Sequence, residues 1–192
     1  HEHNELEAAV GIIERLMRGE RVAYISDAGT PAVSDPGARL VAAVRNAGLA
    51  VVPMPGASSV TTALSAAGIS GDSGFIFAGF LPSKAGERDQ AVTDLTGEAR
   101  AVVIMEAPHR IEALAQAFAP LGERFVTVCR ELTKQFEEIA TVAANAMPAW
   151  LAANAQRTRG EFVLVLHPVA KPSPKDDGLR VLQLLLAELP LK

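Results

Sequence analysis

Along the first seventy positions, apolar residues come in short runs, each followed by a turn-rich loop and then by an apolar stripe at helical spacing. Arg21-Val22-Ala23-Tyr24-Ile25 and Leu49-Ala50-Val51-Val52-Pro53-Met54 read as buried strands over 21–26 and 49–53. Helices are predicted over 36–47, ending at Gly48, and over 59–67, ending at Gly68. Asp35 is placed to cap the first of these, with Pro36 at its opening position. Upstream, Asn4-Glu5-Leu6-Glu7 has the form of a capping box; it opens a helix with Val10, Ile13, Leu16 and Met17 on one face and Gly19 past its end. Alternation of strand and helix argues for a parallel sheet.

The pattern breaks into small and turn residues at Ile69-Ser70-Gly71-Asp72-Ser73-Gly74, which reads as a hinge between domains over 1–72 and 73–168. The second block runs strand 75–79, a helix near 86–96, strand 101–105, helix 109–119, strand 124–129, strand 136–142, a short helix 147–154 and strand 161–166. This is α/β with room for antiparallel pairs. Residues 171–178 read as a proline-stiffened linker and 179–189 as a helix, so 169–192 would be a linker and the start of a helical extension.

Two loops draw attention. Ser26 to Gly37 packs two glycines, two prolines and two aspartates after the first strand, and Pro55-Gly56-Ala57-Ser58-Ser59-Val60 follows the second. A tight strand-to-helix connection is the plainer account of either loop. Together, at consecutive strand ends, they suit a pocket wall of backbone N–H groups and small hydroxyls, because ligands of open α/β sheets bind beyond the strands' carboxyl ends. Neither a G-x-G-x-x-G nor a G-x-x-x-x-G-K-[ST] fingerprint occurs, so a phosphate-led ligand loses ground. His1, His3, His109, His167 and Cys129 show no paired ligand spacing, and no metal site is expected.

Composition narrows the class. In 192 residues, 49% are hydrophobic, enough to build a sizeable core. No apolar run approaches the ~20 residues of a membrane span and no signal-peptide pattern is seen, so neither membrane insertion nor secretion is expected. One cysteine fits a reducing cytoplasm. A net charge of −4 argues against a protein that coats nucleic acid through bulk charge, leaving a local basic groove open.

Five segments then line up in order and spacing: Ser26-Asp27-Ala28-Gly29-Thr30-Pro31 with Asp35-Pro36-Gly37, Pro53-Met54-Pro55-Gly56, Glu106-Ala107-Pro108-His109-Arg110, Arg130-Glu131-Leu132-Thr133-Lys134, and Gly160-Glu161-Phe162. Over about residues 1–168 they resemble the tetrapyrrole-methylase-like S-adenosylmethionine (SAM) methyltransferases, and within these the bacterial small-subunit rRNA ribose 2′-O-methyltransferases. The resemblance implies two small α/β domains with the SAM cleft between them, typically as a homodimer. It also implies that a first strand with a Pro-x-Gly-Asn loop, and a Glu-Asp-Thr-Arg segment, belong upstream of His1.

Carried over by position, the resemblance implies that Asp27, Gly29, Thr30, Val33, Ser59, Val60, Met105 and Glu106 bind SAM. A base is optional for methyl transfer from a sulfonium, and Glu106, His109, Glu131 and Lys134 are the candidates to take a ribose proton. Plainer readings compete: His109 as a helix-start residue, Glu131 with Lys134 as an exposed pair worth a few tenths of a kcal/mol. Arg110 and Arg130 would hold RNA phosphate or order the cleft. Lys84, Arg88, Arg157 and Arg159 read rather as solvated surface. The function expected is ribose methylation of 16S rRNA in the small ribosomal subunit. A tetrapyrrole C-methyltransferase and a non-catalytic ligand-binding or dimerising domain are the alternatives.

Overall fold

The chain divides into two compact units, residues 1–66 and 67–192. The computed structural model describes residues 5–27, 29–70, 74–169 and 174–188. Asn4 of the capping box, 71–73 of the hinge and 171–173 of the linker lie outside them.

In the first unit, helix α1 (Glu5–Met17) packs on α2 (Ala38–Asn46). The contact is built from buried Ala9, Leu40 and Val44, with Ile12, Ile13, Leu16 and Leu49 against them. Val10 and Met17, expected on this face, are 59% and 67% exposed. The buried stripe of α1 is centred on the side of Ala9, which is 2% exposed. Helix α2 ends as its sequence suggests: the Gly48 N–H donates to the Arg45 carbonyl at 3.0 Å and the Leu49 N–H to Val44 at 3.2 Å. This pair of bonds satisfies carbonyls that the helix leaves open.

Its start differs from expectation. Asp35 and Pro36 do not cap it; the helix is entered from Gly37 at φ 131°, with no side-chain cap. The Pro36 carbonyl instead accepts from the Ala32 N–H, closing the turn on itself. Only glycine fits at 37, because a Cβ there would stand 2.8 Å from the Tyr24 ring. Helix α3 spans Ser59–Ala66. The expected strands 21–26 and 49–53 carry no strand pairing, and Ile25, Val52 and Met54 are 85%, 77% and 83% exposed. A strand exists by pairing with a neighbour, and among the described residues neither segment has one.

The second unit holds a mixed five-stranded sheet in the order β1 (Phe75–Phe80), β2 (Ala101–Glu106), β5 (Phe162–Leu166), β3 (Phe125–Arg130), β4 (Glu138–Ala143). Strand β1 runs parallel to β2, and the other pairs are antiparallel. Helices α4 (Ala85–Asp94), α5 (Ile111–Phe118) and α6 (Met147–Ala152) supply the rest of one core. Val102, Ile104, Val126, Val128, Leu164 and Leu166 meet Val92, Leu114, Phe118, Met147 and Leu151 there. Burying each of these large side chains stabilises the fold by about 1.5–3 kcal/mol. The α/β class with antiparallel pairs is as expected. Helix α7 spans Pro174–Glu188, so the helical part begins inside the expected linker; proline is tolerated at a helix's first turn. No helix among the described residues is long and apolar enough to cross a membrane.

Arg124 ties three segments of this unit together. Its guanidinium donates to the carbonyls of Leu95, Glu98 (3.0 Å) and His167 (2.6 Å), joining the turn after α4 to the start of β3 and the end of β5. Replacement by glutamine strands at least two half-buried carbonyls. Arg124→Gln should therefore cost about 2–3 kcal/mol, read as a lowered urea midpoint. Lysine should recover only part of the loss, since one ammonium cannot span three acceptors.

Candidate functional site

Strands β1, β2 and β3 run in the same direction, so their carboxyl ends share one end of the sheet with the amino ends of β4 and β5. Three of the five sequence motifs meet there. Register sets Glu106 opposite Phe162, Phe162 opposite Arg130, and Arg130 opposite Glu138. Since side chains alternate along a strand, Glu106 and Arg130 fall on the face of Ile104 and Val128, at the rim of the core. Met105, adjacent to Glu106, faces the other way.

The Glu106 side chain is fully buried. Its Oε1 accepts the Ala107 N–H at 2.8 Å and lies 3.0 Å from the Arg110 Nε. Arg110 also donates to the carbonyls of Leu81 and Pro82, so it binds the loop after β1 to the turn after β2. Oε2 of Glu106 is buried and has no hydrogen-bond partner among the described residues. His109 is exposed in the 3-10 turn Pro108–Arg110, between β2 and α5.

Arg130 is 8% exposed. Its Nε, also without a hydrogen bond, lies 3.6 Å from Glu138, whose carboxylate takes a closer bond of 2.8 Å from Arg157. The Arg157 guanidinium sits 4.1 Å over the Trp150 ring. Arg157, read from sequence as solvated surface, is therefore part of a half-buried network; Glu138 and Trp150 were not singled out, and no local pattern marks them.

After β3 the chain makes a braced turn. Glu131 and Thr133 adopt left-handed backbone, φ 51° and 64°. The Glu131 N–H donates to the Glu161 carbonyl at 2.9 Å, and the Glu161 N–H returns to the Glu131 carboxylate at 2.8 Å. Lys134 Nζ is 2.9 Å from both the Glu131 and Glu161 carboxylates. The expected isolated pair is thus a three-membered cluster. The Glu161 N–H and the Lys134 charge hold the Glu131 carboxyl below the usual range, and the two carboxylates push the Lys134 ammonium above its own. Gly160 makes the turn possible, since a Cβ there would meet Glu131 Cγ at 2.4 Å.

In the first unit, the Thr30 hydroxyl donates to the Ala57 carbonyl at 3.1 Å and so joins the two loops that the sequence picks out. Gly29 has φ 68° with nothing near where a Cβ would lie; Asp27 and Val33 are exposed. Ser59 and Val60 open α3, Val60 turned inward and 7% exposed. No group of three metal-ligating side chains occurs among the described residues. Burial raises the Cys129 thiol to about 11, which keeps it protonated and unreactive. A cavity of about 390 Å³ between α4 and α5, lined by Arg88, Asp89, Thr93 and Gln116 among others, includes none of the expected site residues.

Known proteins resemble this chain in sequence and in fold. The chain is 43% identical over 197 residues to ribosomal RNA small subunit methyltransferase I of Vibrio cholerae, covering 100% of this chain and 68% of that protein. The Pseudomonas aeruginosa protein of the same name is 46% identical, with 100% and 70% covered. Among solved structures, the methyltransferase CobJ aligns at a TM-score of 0.60 with 18% identity, covering 88% of this chain and 73% of that one. Uroporphyrin-III-C-methyltransferase from Thermus thermophilus aligns at 0.56 with 18% identity, covering 84% and 70%. These two structures share the fold. Residues 1–148 match the family of Tetrapyrrole (Corrin/Porphyrin) Methylases, and with relatives this similar over its whole length the chain belongs to that family.

Proposed function

We propose that the protein is a SAM-dependent methyltransferase acting on a ribose 2′-hydroxyl of small-subunit ribosomal RNA, as a cytoplasmic homodimer. What carries the reading is 41–46% identity over the whole chain to enzymes named ribosomal RNA small subunit methyltransferase I. The tetrapyrrole enzymes are related below 20% identity, and a shared fold does not transfer a substrate.

The residues fit the cofactor's chemistry. SAM asks for donors to its carboxylate and acceptors for its ammonium and ribose hydroxyls. The 29–37 loop turns through positive φ at Gly29, Ala32, Ser34 and Gly37, Asp27 offers an exposed carboxylate, and Glu106 keeps a buried acceptor oxygen with no donor. We assign Asp27, Gly29, Thr30, Val33, Ser59, Val60, Met105 and Glu106 to the cofactor. When bound, SAM supplies a methyl group already activated on sulfur. The protein's part is then to hold the ribose oxygen in line and to receive its proton.

For that proton, Glu131 is a weakened base and Lys134 is held charged. Glu106 already accepts from the Ala107 N–H and pairs with Arg110. His109 has an exposed ring with no hydrogen bond among the described residues, and we assign it the proton. Arg110 and Arg130 order the strand ends that the RNA meets.

Incubation with radiolabelled SAM should label purified small ribosomal subunits, at an alkali-resistant 2′-O-methyl linkage, and leave uroporphyrinogen III unlabelled; the reverse pattern would install the tetrapyrrole reading. His109→Gln should lower kcat by about 10²-fold, within the range for a lost general base. SAM affinity should hold in this variant, since the role assigned to His109 is toward the ribose proton and not the cofactor. Glu131 yields a stability test. Its depressed carboxyl stabilises the fold fully above the ordinary glutamate range and loses this as pH falls through the lowered value. Glu131→Gln should melt roughly 2–4 °C lower near neutrality, equivalent to about 1 kcal/mol, and the gap should close in acid.

A further inference from the structure

The turn between β3 and β4 is cross-braced by hydrogen bonds and ion pairs, yet it presents an aromatic ring to solvent. Phe136 is 65% exposed. Behind it, the chain accepts left-handed backbone at two non-glycine residues, Glu131 and Thr133, each costing on the order of 1–3 kcal/mol. Lys134 is clamped by two carboxylates, the Thr133 N–H donates to Glu137, and the Glu137 N–H closes onto the Lys134 carbonyl at 3.2 Å. Phe136 lies inside this closed segment, so its position is restricted while its ring buries little.

The ring's surroundings fit a nucleobase. Its chain neighbours Gln135 and Glu137 are polar and exposed, and the next apolar side chain along the chain, Ile139, is 40% exposed. Alongside, the Arg157–Glu138 bond holds the turn 155–158 against the start of β4. The next residue, Arg159, is exposed, and its side chain has no ion-pair partner among the described residues. An exposed aromatic face and a guanidinium without an ion pair, on two segments tied together by the Arg157–Glu138 bond, are what an unpaired base and its phosphate need. All of this stands at the sheet end that carries Glu106, His109 and Arg130.

We propose that Phe136 is a stacking platform for an unpaired base of the substrate RNA, with Arg159 on the adjoining phosphate. This rests on the rRNA reading above. Binding of purified small ribosomal subunits to the SAM-saturated protein tests it with Phe136→Ala, Phe136→Leu and Phe136→Tyr. Alanine and leucine should each weaken binding about tenfold and tyrosine by less than about twofold, because leucine keeps apolar bulk but has no π face. Melting temperature and SAM affinity should stay at wild-type values. Subunits bound by wild type and equally well by the alanine and leucine variants would overturn the stacking role alone. A loss accompanied by a changed sedimentation coefficient would overturn it in favour of packing against a second copy. Wild-type protein that binds no subunits would sink the rRNA reading itself, and the platform with it.

Discussion

The insertion of β5 between β2 and β3 is the constraint from which the rest of the second unit follows. Two strands running the same way are separated by one running against them, and all five residues of β5 are buried. Hydrogen bonds on both edges tie this strand to β2 and β3 at once, so its register with one neighbour fixes the register of the other. That register puts Phe162 between Glu106 and Arg130. It also brings Gly160 and Glu161 beside the turn after β3, a contact across some thirty residues of chain that no local preference could supply.

Charge at this sheet end is managed by pairing. Glu106 and Arg130 are nearly or fully buried, and each retains one polar atom without a hydrogen bond. Such atoms are rare in folded proteins, because leaving one unpaired costs about 1–3 kcal/mol. Of the four such atoms among the described residues, those of Glu106, Arg110 and Arg130 belong to the sheet end where the motifs gather, and the fourth, the Arg88 Nε, is on α4. The Glu131–Lys134–Glu161 cluster does the opposite: one ammonium is shared by two carboxylates, and the Glu161 N–H adds a second donor to Glu131, so the turn is braced by its own charges.

Family and geometry contribute different knowledge. Kinship with tetrapyrrole methylases of solved structure accounts for the fold at under 20% identity, whereas the substrate reading depends on relatives above 40%. The geometry discriminates among candidate roles: it draws Lys134 and Glu131 into a brace, Arg110 into a tie between two loops, and leaves His109 exposed.

The sequence by itself determined the sheet of the second unit nearly to the residue. The strand at 101–105 and the part of 161–166 from Phe162 are continuous apolar runs, and 124–129 is apolar apart from Arg124 and Thr127, legible because burial on both faces needs no alternation to reveal it. The end of α2 at Gly48 was legible too, as a local hydrogen-bonding problem with a local answer. Tertiary structure decided what depends on partners distant in the chain. Residues 21–26 and 49–53 have a strand's composition, but pairing makes a strand and they find none among the described residues. Which face of α1 turns inward depended on where α2 packs, and that contact buries Ala9 with Leu40 and Val44. The motif residues were visible in sequence as a string, but their order across the sheet, the need for glycine at 160 and the second carboxylate on Lys134 were not. Each arises from segments that meet only after β5 has taken its place between β2 and β3.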